Sequence, residues 1–238
     1  SHSRLLLHEY RARGVRETPN AEALGIRGND EQVFQDMLNG ASATDQATRV
    51  AGVIVPHLDY ARGAPCYGAG YGSLVERHSP QRVVILGTNH FGRSTSVVTT
   101  ASDFATPLGR TRTDRAFVER LEERCGDLRR YELDHAREHS IELQVAWLQH
   151  LFGADGFSIV AVLCPDPCGP SGTRPYDGRG CDLADFARAL RETVKEEGGE
   201  TLLVAGADLS HVGAAFGDDP PLEAEFLSAV ESTDRLAL

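Results

Sequence analysis

The sequence predicts an α/β protein: a single layered domain with a mostly parallel or mixed central sheet and helices on both faces. Three observations predict it. Residues 51–56 (AGVIVP), 82–87 (RVVILG), 157–163 (FSIVAVL) and 201–206 (TLLVAG) are short, near-continuous apolar runs, the pattern of strands covered on both sides. Segments of helical periodicity stand at 113–124, 138–152, 181–197 and 221–236. The alternation of the two types along the chain is what a sheet covered by crossover helices requires.

Taken in order, residues 1–48 are polar, weakly periodic and rich in turn formers ("TPNAEALGIRGNDE"), and read as an N-terminal extension that wraps a domain spanning 49–238, with one helix near 30–39. After the first strand, "GAGYGSL" at 68–74 has the glycines of a phosphate-binding turn, but they do not follow the strand in a βα turn, so the dinucleotide fingerprint is weak. Residues 95–100 (TSVVTT) add a candidate antiparallel strand, and "TPLG" at 106–109 reads as a turn. In "EHSIELQVAWLQHLF", Ile141, Val145, Leu148 and Phe152 recur at helical spacing and predict one apolar stripe, with His139 nearly opposite it. "CPDPCGPSGTRPYDGRGC" reads as a surface loop. Its Cys164, Cys168 and Cys181 follow C-x3-C-x12-C without a fourth partner, so free thiols are the expectation over a structural zinc site.

Bulk properties exclude several function classes. The formal net charge is −11 and Lys195 is the lone lysine among scattered arginines, which disfavours a nucleic-acid partner. No apolar stretch reaches the about 18 residues of a membrane span, so no membrane association is expected. Five irregularly spaced cysteines are an odd number in a chain with 41% hydrophobic content, large enough to build a core without disulfide staples; this favours a reducing, cytoplasmic setting. Neither a GxxxxGK[ST] phosphate loop nor a GxSxG nucleophile elbow is present.

The chemistry gathers at strand ends. "AGVIVPHLDY" delivers His57 and Asp59, "RVVILGTNH" delivers His90, and "TLLVAGADLSH" delivers Asp208 and His211. In open α/β sheets the loops after the strands' carboxyl ends converge on one crevice. A single strand-end histidine is more often structural, but three argue for a metal or catalytic site, since neutral imidazole ligates iron, copper, nickel or zinc. Glu138 and His139 open the third helix, where a carboxylate either caps free N–H groups or joins the same site. Asp59 is read as a ligand, a supporting group or a turn residue.

"VPHLDYARGAPCYGAGY", "VVILGTNHFG", "FATPLGRTRTDRAFVERL", "EHSIELQVAWLQHLFG" and "LLVAGADLSHVGAAFGD" occur in the order found in the Memo family, whose bacterial members include protein B of the AmmeMemoRadiSam system. The resemblance covers roughly residues 50–218. It implies a fold like that of class III extradiol ring-cleavage dioxygenases, with His57 and His90 as metal ligands, His211 with Asp208 as the acid/base pair, and Glu138 and His139 lining the same cleft. The implied cofactor is a divalent metal, Fe(II) or Cu first and Zn second. The implied partners are a small molecule or peptide in the cleft, and radical-SAM and AMMECR1-like proteins. Such proteins take a third ligand from a C-terminal cysteine segment that nothing here matches, so the domain is either cut short at its C-terminus or its metal site differs. The leading expectation is a metal-dependent, dioxygenase-like oxidoreductase of unknown substrate. The alternatives are a non-catalytic binding or adaptor protein that keeps the cleft, and a zinc-dependent hydrolase.

Overall fold

A computed structural model describes residues 2–18, 31–40, 50–75, 78–166, 172–219 and 222–237. The chain forms two compact units, residues 1–207 and 208–238.

The first unit is built on an eight-stranded mixed sheet. Its strands are β1 (Val15–Glu17), β2 (Gly52–Val55), β3 (Arg82–Thr88), β4 (Val98–Thr99), β5 (Asp103–Thr106), β6 (Gly109–Thr113), β7 (Ser158–Cys164) and β8 (Thr201–Gly206). They lie in the order β1-β5-β6-β7-β3-β8-β2, with β4 also on β7. From β6 to β2 all neighbours are parallel; β5 and β6 form an antiparallel hairpin, and β4 runs antiparallel to β7 as the 95–100 segment predicted. The four strands read from apolar runs all exist, and β3 continues one residue past the predicted end, through Thr88.

The helices are α1 (His2–Arg13), α2 (Gln32–Gly40), α3 (Tyr60–Gly72), α4 (Arg115–Cys125), α5 (Ser140–Phe152) and α6 (Leu183–Glu197), with a 3₁₀ turn over Glu132–Arg137. The alternation of side chains along β3 sorts them onto two faces. Val83 and Ile85 enter the core made with α2, α3 and α5, which holds Phe34, Tyr60, Tyr67, Tyr71 and Trp147. Val84 enters the opposite core, with Phe117, Val118 and Leu121 of α4 and Phe186 and Leu190 of α6. Helices on both faces are thus observed. Asp114 and Asp182 cap α4 and α6 by accepting Phe117 N–H at 3.0 Å and Ala184 N–H at 2.9 Å.

One reading is corrected. The predicted single stripe on α5 is a helix buried all round, because residues 140–149 are all inaccessible, Glu142, Gln144 and Gln149 included. Asp59, read as a ligand, a supporting group or a turn residue, caps α3, accepting Arg62 N–H at 3.1 Å. The glycines of 68–74 lie within α3, and a Cβ on Gly70 would sit 2.5 Å from Val55, so this glycine lets the helix settle on β2. The loop cysteines Cys164 and Cys181 are free thiols; Cys168 lies outside the described residues.

Within the segment read as an extension, α2 matches the predicted helix and β1 is a strand of the sheet, parallel to β5. Arg16 of β1 is buried, ion-paired with Glu142 of α5, and donates to the carbonyls of His135 at 2.8 Å and of Glu138.

The second unit contains a 3₁₀ turn (Ala214–Phe216) and α7 (Ala224–Ala237). Ser210 Oγ donates to Asp234 at 2.7 Å, tying the segment ahead of the turn to α7. Among the described residues no helix is long and apolar enough to cross a membrane.

Candidate metal centre

Three imidazoles and one carboxylate meet where β2, β3 and α5 come together. His57 follows β2 and is buried. Its Nδ1 lies 2.9 Å from the carbonyl of Gly206, the last residue of β8. A carbonyl only accepts, so this contact puts the proton on Nδ1 and the lone pair on Nε2. His90 follows β3, and its Nδ1 lies 3.0 Å from Glu138 Oε1, which fixes the same tautomer. The His57 and His90 rings stand edge to face with centroids 4.8 Å apart. His139 stacks against His90 at 5.0 Å and lies 6.0 Å from His57.

Glu138 ties the group together. Its carboxylate accepts the backbone N–H groups of His90 at 2.8 Å, His139 at 2.9 Å and Ser140 at 3.0 Å, besides the His90 ring. It therefore satisfies N–H groups at the start of α5 and holds the His90 ring at once. Burial raises its carboxyl pKa, but the hydrogen bonds from Ser140 and His90 outweigh burial and hold it below the usual carboxylate range.

The backbone explains why these groups meet. A Cβ on Gly87 would fall 2.5 Å from Ser140 Oγ and 2.7 Å from Ile141 Cδ1, so glycine here lets the start of α5 close onto β3. Ser140 Oγ completes that closure, accepting Thr88 N–H at 3.0 Å and donating to Thr88 O at 3.1 Å. Gln144, one turn on, donates to Pro56 O at 3.0 Å and Ser140 O at 3.2 Å, and accepts the Tyr71 hydroxyl at 2.7 Å. This glutamine joins the residue before His57 to the residue after His139.

Of the sequence-predicted residues, His57, His90, Glu138 and His139 are thus brought together. His90, Glu138 and His139 each place a ligand-type atom within 4.8 Å of the others, a set able to hold a metal ion. Asp208 and His211 belong to the second unit, where His211 Nε2 lies 3.5 Å from Asp208 Oδ2 and its ring lies 4.9 Å from that of Phe216. Three supporting residues, Arg16, Gln144 and Asp134, were not legible. Asp134 accepts from Asn89 Nδ2 at 3.0 Å and from the N–H groups of Arg93 and Ser94 at 3.0 and 2.9 Å, shaping the loop that leaves His90. Phe91 was also passed over; it is 65% exposed and its ring touches those of both His90 and His139.

The fold and this centre define a class: layered α/β proteins that gather imidazoles at strand ends and back them with a buried carboxylate. The chain belongs to the Memo-like protein family, whose model matches residues 28–238. It is 32% identical over 168 residues to a MEMO1 family protein of Methanopyrus kandleri, covering 70% of this chain and 55% of that protein. A MEMO1 family protein of Methanococcus maripaludis strain C6 is 35% identical over 169 residues, covering 69% and 55%. One from Aquifex aeolicus is 28% identical over 222 residues, covering 91% and 55%. The chain spans about half the length of these curated relatives.

Proposed function

We propose that this Memo-like chain holds a divalent, redox-active metal ion through Nε2 of His57 and His90 and works as a dioxygenase-like oxidoreductase. The observation that carries the reading is that both rings have Nδ1 committed to a built acceptor, Gly206 O and Glu138 Oε1. Metal-binding histidines are held in this way by their neighbours. The donor set fits the ion: imidazole suits Fe(II) and Cu, and zinc is the redox-silent competitor.

When bound, such an ion would supply Lewis acidity and one-electron chemistry. The protein's own residues do the rest. Glu138 is a positioning residue in this reading, because four N–H donors already occupy its oxygens. His139, beside His90, carries protons. His211 with Asp208 is proposed as a second proton-transfer pair on its strand-end motif, and Phe91 offers an apolar rim to an organic substrate.

Elemental analysis before and after anaerobic Fe(II) loading tests the reading, with wild type beside the His57→Ala/His90→Ala double variant. Near-stoichiometric metal in wild type and none in the variant is the expected result. Equal metal in both, or none in either, overturns it.

A further inference from the structure

Away from the imidazoles, two thiols border one cavity. Cys125 is the last residue of α4, and Cys181 immediately precedes Asp182, the cap of α6. They are 56 residues apart in sequence, yet both line one cavity of about 260 Å³, together with Ser96, Arg130, Asp177 and Arg179. Both also pack into the apolar core under α4 and α6. The two thiols are near enough to influence one another, while Cys181 Sγ donates to Asp182 O at 3.4 Å. Cys181 is buried, whereas Cys125 is partly open. Ion pairs of Arg124 with Glu192 and Glu196 hold the end of α4 against α6, so the two sulfurs are presented by braced elements.

We infer that Cys125 and Cys181 form a redox-active dithiol site that takes a low-molecular-weight disulfide from the cavity and closes to a reversible intramolecular disulfide. The Cys125 thiolate attacks one sulfur of R–S–S–R. A mixed disulfide forms, and the first RS⁻ leaves and is protonated. Cys181 loses its proton to solvent and attacks Cys125 Sγ, expelling the second RS⁻. In total the protein dithiol loses two protons and two electrons, and R–S–S–R is reduced to two R–SH. The order of attack follows from access, Cys125 being the more open, and ionisation agrees with it: the neighbouring Cys181 thiol, with Arg124 and Arg188, holds the Cys125 thiol below its ordinary pKa against burial and Asp185. The neighbouring Cys125 and burial push Cys181 upward, suiting it to the second step. Cys164 is a poor competitor, because burial pushes its thiol up to about 11. The site also borders the loop leaving His90. Ser96 Oγ donates to Cys181 O at 3.0 Å and Thr95 Oγ1 to Asp177 at 2.8 Å, so closing the disulfide braces that loop.

The test equilibrates the native chain with mixtures of reduced and oxidised glutathione, quenches with acid, alkylates, digests and reads the peptides by mass spectrometry. The expected product is a peptide pair joined through Cys125 and Cys181 that dithiothreitol separates. Cys181→Ser should accumulate a glutathione adduct on Cys125, and Cys125→Ser should leave Cys181 alkylated at every ratio. Two fully alkylated thiols in the wild type at the most oxidising ratio, or Cys181 joined to a different cysteine, overturns the inference. Both decisive readings come from the wild-type chain, so they are independent of how the variants fold.

Discussion

Arg16 and Glu142 form an ion pair in which each side chain is only 2% exposed, and the pair joins the first strand of the sheet to the helix that starts at the candidate metal centre. The same guanidinium holds the carbonyls of His135 and Glu138, so one N-terminal residue secures the backbone that carries the orienting carboxylate. Burial raises the Glu142 pKa, and Arg16 opposes that rise. Removing only the arginine strands a buried carboxylate and two carbonyls, whereas an apolar pair of matching volume avoids that penalty. Arg16→Met should therefore cost about 3–5 kcal/mol, and Arg16→Met/Glu142→Leu should recover much of the loss. Urea unfolding of the three proteins measures both values; a double variant no better than the single one would show that the carbonyl contacts matter more than the pair.

Glu138 separates orientation from ligation. Glu138→Gln keeps the shape but loses the charge and one acceptor oxygen. If the carboxylate acts by holding His90, metal affinity should fall by about 10–100-fold, the usual cost of losing such a partner. Competition against a chromophoric chelator reads this directly. A complete loss of binding, equal to that of His90→Ala, would instead mark Glu138 as a ligand. Glu138→Ala should add about 1 kcal/mol of lost stability, because α5 loses its cap as well.

His135 makes the fold acid-sensitive. It is fully buried, Nε2 lies 3.1 Å from the Val98 carbonyl, and burial lowers its pKa from 6.5 to about 4. The unfolded chain therefore binds a proton between pH 6.5 and pH 4 that the folded chain refuses, so stability falls as pH drops through that window. From pH 7 to pH 5 this one group should remove about 2 kcal/mol. His135→Gln has no such titration and can still donate to Val98. Its unfolding free energy should vary less between the two pH values by that amount, as measured by urea titration at each.

The sequence disclosed the strands and their histidines because apolar runs and strand-end imidazoles are local patterns. It concealed whatever depends on a distant partner. β1 is three residues, Val-Arg-Glu, whose burial is decided by Glu142 more than a hundred positions away. α3 contains Pro65 and several glycines, which mask the spacing of Tyr60, Tyr67, Tyr71 and Leu74; that spacing was the available sign of a helix facing the core. Cys181 was grouped with Cys164 and Cys168 by proximity in sequence, whereas the fold pairs it with the end of α4.

Gly87 offers the sharpest test of how the fold builds the centre. In sequence it looked like the end of a strand; in the structure the strand runs on, and the missing side chain is what lets Ser140 and Ile141 approach. Gly87→Ala places a methyl 2.5 Å from Ser140 Oγ and 2.7 Å from Ile141 Cδ1, so the start of α5 must move away from β3. Overpacking of this kind costs about 1–3 kcal/mol. The displacement falls on Glu138 and His139, and His90 then loses its orienting carboxylate without any change to the proposed ligands His57 and His90. Metal affinity should drop while His57, His90 and Glu138 are all intact. Combining Gly87→Ala with Ser140→Gly removes one of the two clashes and should restore part of the affinity. If Gly87→Ala binds metal as wild type does, the contact between β3 and α5 does not set the geometry of the centre, and the positioning role falls to Gln144 and its bonds to Pro56 and Ser140.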